Sequence, residues 1–149
     1  MKNYTSRVSV EKTISLIERA LAKAGASNIL KNYEGGVITS ISFTLFDPTF
    51  GKTYFIRLPI NVDAVEKILF QKIKRPRKET IKRIREQAAR TAWKLMLDWV
   101  EVQLSLIEME QVEALQVFLP YVFDGEKTFY LALKENNFRM LSSGKKEEL

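Results

Sequence analysis

The apolar residues of this chain change period twice, from three-to-four to two and back, and that predicts an α+β fold. The expected architecture is a three-stranded antiparallel meander packed against helices, with one long central helix. Alternation fills the stretch from about 28 to 58. The helical period resumes near Asp63, then runs for roughly seven turns or more beyond Lys78. Composition agrees: 46% apolar and 28% charged residues are ordinary for a globular chain. A chain of 149 residues fits one domain. We assign residues 1–141 to a single α+β domain and residues 142–149 to a flexible charged tail.

The elements follow in order. Ser9 is a good N-cap, and Val10, Ile14, Ile17, Leu21 and Ala24 draw one apolar stripe ending at Gly25, so a helix is expected over about 10–24. Val37, Ile41, Phe43 and Leu45 alternate with Ser40, Ser42 and Thr44. With the Gly35-Gly36 turn before them and Asp47 to Gly51 after, strands are expected near 28–34, 37–46 and 52–58. A helix from about Asp63 should end near Lys74-Arg75-Pro76, because the residue before proline avoids the helical region.

The long helix should run from about Glu79 to Glu110, with Ile81, Ile84 and Ala88 toward the core. Apolar residues surround most of its second half, Ala92 to Ile107, which is therefore expected to form the spine of the fold. A short apolar helix or turn from Val112 to Leu119 and a last helix capped by Thr128 complete the chain.

Charge is the most informative functional feature. Between Gln71 and Arg90 there are nine basic and two acidic residues, a net charge of +7, whereas the rest of the chain sums to −1. Such concentration is the footprint expected for a polyanion. Lys78, Lys82, Arg85 and Arg90 are expected to share one side of the long helix, preceded by a basic arm from Lys72 to Arg77. The phosphate-contacting set is then Lys72, Lys74, Arg75, Arg77, Lys78, Lys82, Arg83 and Arg85. Arg57 joins it from the sheet. If Ile41, Phe43, Tyr54, Ile56 and Leu58 face the helices, Lys31, Tyr33, Ser40, Ser42, Phe55 and Arg57 form the other face, a pattern able to stack and hold bases. The simpler expectation is that a helix or a second subunit covers Tyr33 and Phe55.

The chain has no Cys and no His, which removes disulfides, thiolate nucleophiles, the usual zinc sites and imidazole catalysis. Asp98, Glu101, Ser105 and Glu108 align along the long helix, and two carboxylates three apart can hold magnesium. They come from one element, with no phosphate-cradling glycine loop, and a solvent-facing strip with a Lys94–Asp98 pair explains them more simply. The expectation is no enzyme, no metal and no cofactor. No signal-peptide pattern or membrane-length apolar run occurs, so the cytoplasm is expected, that of the host cell for a viral chain.

Three segments resemble a family of small uncharacterised proteins of phages, prophages and other mobile elements. They are Phe55 to Pro59, Gln87 to Lys94 leading into Asp98 to Leu104, and Val117 to Tyr121. The resemblance spans about Tyr4 to Tyr121 and implies a mobile-element setting, with no activity or catalytic residue attached. The α-β-β-β-α order, with Lys82-Arg83-Ile84-Arg85 opening the final helix before Ala88-Ala89, is also similar in layout to the double-stranded RNA-binding domain. That likeness implies phosphate contacts for Lys82, Arg83 and Arg85. An extra helix at 63–73 and a final helix about twice as long set the chain apart from it.

The sequence therefore predicts a non-catalytic nucleic-acid-binding accessory protein, with DNA favoured over RNA. The alternative is a protein-interaction or self-assembling module: one that meets an acidic protein partner, or a homodimer burying Trp93, Met96 or Val100 between subunits.

Overall fold

The computed structural model describes residues 2, 6–71, 73 and 77–142. It has the predicted α+β architecture. Helix α1 (Val10–Lys23) leads into strands β1 (Ser27–Glu34), β2 (Val37–Asp47) and β3 (Lys52–Pro59), which form one antiparallel sheet in the order β1-β2-β3. Then come α2 (Val62–Phe70), the long α3 (Lys78–Glu108), α4 (Ala114–Phe118), a 3-10 turn at Leu119–Tyr121, and α5 (Phe129–Glu135). The caps are those the sequence signals: Ser9 Oγ accepts from the Lys12 amide at 3.2 Å, and Thr128 Oγ1 from the Leu131 amide at 3.3 Å. Helix α2 stops at Phe70, before the Lys74–Pro76 stretch at which the sequence ends it, and that stretch lies outside the described residues. The proposed tail falls outside them from Gly144 on, as does Ser143.

One face of the sheet packs on α1 and α3. Ile41, Phe43, Ile56 and Leu58 project from that face into a core with Ile14, Ile17 and Leu21 of α1, Trp93, Leu97 and Val100 of α3, and Phe118 of α4. Phe118 meets Phe43 edge-on, ring centroids 5.5 Å apart. A second cluster joins Val62 and Leu69 of α2 to Ile84, Ala88 and Ala92 of α3.

The two clusters use opposite sides of α3. Ile84 and Trp93, Ala88 and Leu97, and Thr91 and Val100 are all buried, and each pair is nine residues apart, about two and a half turns. The N-terminal half therefore turns its apolar side to α2, and the C-terminal half turns the reverse side to the sheet. Small Ala88 and Ala92 let α2 come close. The 31-residue helix, roughly 46 Å long, is held by different partners at its two ends.

Helix α1 runs alongside α3 in the same direction. The carbonyl of Ser6, just before α1, accepts from Gln87 at 3.0 Å and from Arg90 at 3.2 Å, while Ala20, Lys23 and Ala24 line a pocket with Glu101, Leu104 and Glu108. Lys78 to Glu86 lie N-terminal to this contact and are backed by α2. Ile81, expected in the core, is instead 43% exposed there, because α2 meets α3 along the line of Ile84 and Ala88.

Trp93 and Val100, considered above as residues buried between subunits, are buried within the chain, whereas Trp99 keeps partial exposure beside Phe118 and Tyr121. Trp93→Ala should accordingly destabilise by about 3–5 kcal/mol in urea unfolding, and Trp99→Ala by clearly less.

Candidate nucleic-acid interface

The basic residues at the start of α3 divide into two groups. Arg77, Lys78, Lys82 and Arg83 are exposed, and none forms an ion pair among the described residues. Arg85 is different. Its guanidinium pairs with Asp63 and, at 3.1 Å, with Glu66, both on α2. The hydrogen bond to Asp63 raises its pKa first and Glu66 adds to this, so two carboxylates already balance this cation. Arg85 therefore ties α2 to α3 and is the least available of the predicted contacts.

Arg90 also departs from its expected position. It lies half-buried, donating to the Ser6 carbonyl and, at 2.8 Å, to Gln87 Oε1, on the flank where α1 begins. Lys78 and Lys82 are one turn apart; Arg90 lies two turns beyond Lys82 plus one residue, which rotates it about 80° away. Lys72, Lys74 and Arg75 lie outside the described residues.

Local structure gives α3 no cap of its own. Arg77 is the N-cap and its side chain makes no cap bond to the opening amides of α3. Only Glu79 supplies acidity in the first turn, and no basic residue stands in the last. The order is the reverse of what the helix macrodipole favours.

The sheet corrects the register read from sequence. A hairpin built on Gly35-Gly36 pairs Glu34 with Val37 and Tyr33 with Ile38, and continued regularly it would set Lys31 opposite Ser40. Instead Thr39 is passed over as a bulge, and Asn32 pairs with Ser40 and Lys31 with Ile41. Lys31 thus shares the helix-packed face, where it meets Glu18 of α1 at 3.2 Å, and Tyr33 sits beside core residue Ile38 while remaining 59% exposed. Neither belongs to the outer face.

That outer face holds Leu30, Asn32, Ser40, Ser42, Thr44, Phe55 and Arg57. Asn32 Nδ2 donates to Ser40 Oγ and Ser42 Oγ, each at 2.8 Å. Arg57 lies with its guanidinium carbon 3.8 Å from the ring centroid of Phe123 and its Nε 3.4 Å from Ser42 Oγ. Phe123 is carried there by backbone pairing: its amide donates to the Phe55 carbonyl at 2.8 Å, and Val122 bridges to Ile56. A short returning segment, not one of the helices, therefore packs on Phe55. Arg57 stands on the face of the sheet turned away from α3. No sequence signal marks this contact, since an isolated pair of residues after Pro120 has no period to read.

Among the described residues no group of three or more carboxylates converges. Asp98 is engaged by Lys2 at 2.8 Å and Lys94 at 3.8 Å, and Ser105 Oγ donates back to the Glu101 carbonyl at 2.9 Å. No described helix is long and apolar enough to cross a membrane. No protein-family model, curated protein or solved structure matches the chain.

The Arg85 link yields a prediction. Its partners are partly solvated, Asp63 85% exposed, so Arg85→Gln should cost no more than about 1 kcal/mol at low salt. The difference from the parent should shrink as salt rises, read from urea midpoints at two ionic strengths.

Proposed function

We propose that the protein binds nucleic acid, DNA in preference to RNA, through the exposed start of α3, without catalysing a reaction on it. Arg77, Lys78, Lys82 and Arg83 contact successive phosphates. The sequence adds Lys72, Lys74 and Arg75 just before them. Arg85 acts mainly by holding α2 against α3, and Arg57 offers a separate cation on the outer face of the sheet. In line with the resemblance of its segments to mobile-element proteins, the proposed setting is the DNA metabolism of a phage or related element.

The observation that carries this reading is the set of four exposed cations with no ion pair among the described residues, on a segment of helix that packs along its α2 side. Their placement does not serve helix stability, because positive charge at a helix N-terminus is disfavoured, by about 0.3–1 kcal/mol for a charge near the terminus. A phosphate there would reverse the sign: it would meet both the cations and opening amides that the Arg77 side chain does not cap. Cations held by a helix also keep their spacing, which suits a regular duplex backbone.

Binding measured by fluorescence anisotropy against salt tests this. Each neutralised phosphate contributes roughly 0.7–0.9 to the slope of log affinity against log salt. Lys78→Gln, Lys82→Gln and Arg83→Gln combined should lower that slope by about 2–3. Stability should change by no more than about 0.5 kcal/mol per site. Equal binding by the folded triple variant, or salt-independent binding by the parent, would refute the proposal.

A further inference from the structure

The C-terminal half of α3 carries a second surface, exposed and without a packing partner among the described residues, independent of the basic end. Leu95, Trp99, Val102, Leu106 and Met109 recur at spacings of four, three, four and three, so they lie along one side of the helix. This side continues the line of Ile84 and Ala88, which α2 covers in the N-terminal half. Helix α2 has only nine residues. Its first turn reaches as far as Leu95 and Trp99, where Asn61, Val65 and Tyr121 help to enclose a hollow of about 290 Å³. Beyond that point the stripe is open: Val102 is 55% and Met109 70% exposed, beside a shallow depression of about 660 Å³ formed with Leu106 and Gln111. From Val102 to Met109 the open stripe is about 10 Å long, the span of two helical turns.

Charge specifies what fits. From Leu95 to Glu126 the chain has seven carboxylates and no lysine or arginine. Glu101 lines that depression and Glu110 follows Met109 directly; both are exposed and in no ion pair among the described residues. The C-terminal carbonyls of α3 add negative potential at the same end. A second copy docking here would bring an identical acidic rim against this one.

We propose that this stripe receives an amphipathic helix of another protein, apolar along one side and flanked by lysine or arginine. It would lie end-on to α2, extending the same layer along α3. Its apolar side chains would cover Val102, Leu106 and Met109, with its cations meeting Glu101 and Glu110.

Two labelled three-heptad peptides, leucine at the apolar heptad positions and either lysine or glutamate elsewhere, test the proposal with the full chain. The lysine peptide should bind saturably, one per chain, and at least about tenfold more tightly than the glutamate peptide. Val102→Asn with Met109→Asn should weaken it by a similar factor while leaving the unfolding curve in place, since both side chains are exposed. Lysine-peptide binding unaffected by the double change would mean attraction by charge alone and would overturn the proposal. So would equal binding of the two peptides. A concentration-dependent dimer abolished by the double change would assign the stripe to a second copy instead, also against the proposal. The two peptides are compared on the part of the binding that Val102→Asn with Met109→Asn removes, so attraction of the glutamate peptide to the basic start of α3 does not enter the result.

Discussion

The structure depends on one continuous helix being buried on opposite sides at its two ends. The change occurs at Ala92 and Trp93, adjacent residues about 100° apart around α3, both almost fully buried. Before them, small residues admit α2. After them, Trp93, Leu97 and Val100 fill the space beneath the sheet. Because the side that packs on the sheet in the second half has no sheet beneath it in the first, the opening turns are left with a free face. Lys78 and Lys82 lie on the side of the helix away from Ile84, and the exposed basic patch is thus a geometric consequence of where the core ends.

The charge pattern follows the same division. Basic residues crowd the start of α3 and acidic residues its end, each against the direction the helix dipole prefers. Packing energy from the core makes that arrangement tolerable, since burying Trp93 alone outweighs several unfavourable end charges. Helix stability gives no reason for the pattern, so we read it as serving partners of opposite sign: phosphates at the first half, a basic helix along the second. Arg85 shows that a cation in the same run can do something else. Its two carboxylates on α2 turn it into a link between helices, whereas Arg77, Lys78, Lys82 and Arg83 have no ion pair among the described residues.

Much of this was legible in the sequence where periodicity is long. The meander, the caps at Ser9 and Thr128, and the buried second half of α3 all rest on repeated spacing or on a cap residue beside it. What could not be read were features set by single positions. Passing over Thr39 moves Lys31 and Tyr33 to the helix-packed side of the sheet, and no residue type announces a bulge there. The places of Arg90 and Ile81 depend on where α1 starts and how wide α2 is, which helical phase alone does not say. The stacking of Arg57 on Phe123 joins residues distant in sequence through one backbone bridge, which is invisible to any local pattern. The pairing of Arg85 with α2 likewise needed the packing of two helices to be known.

The most direct test of a helix divided at Ala92 and Trp93 is amide hydrogen exchange along α3, with and without a short DNA duplex at low salt. In the free protein, amides from about 82 to 86 should exchange far faster than those from Trp93 to Leu104. Duplex DNA should slow exchange in the first segment and leave the second unchanged. Uniform protection along the free helix, or DNA-dependent protection confined to the second half, would contradict this account.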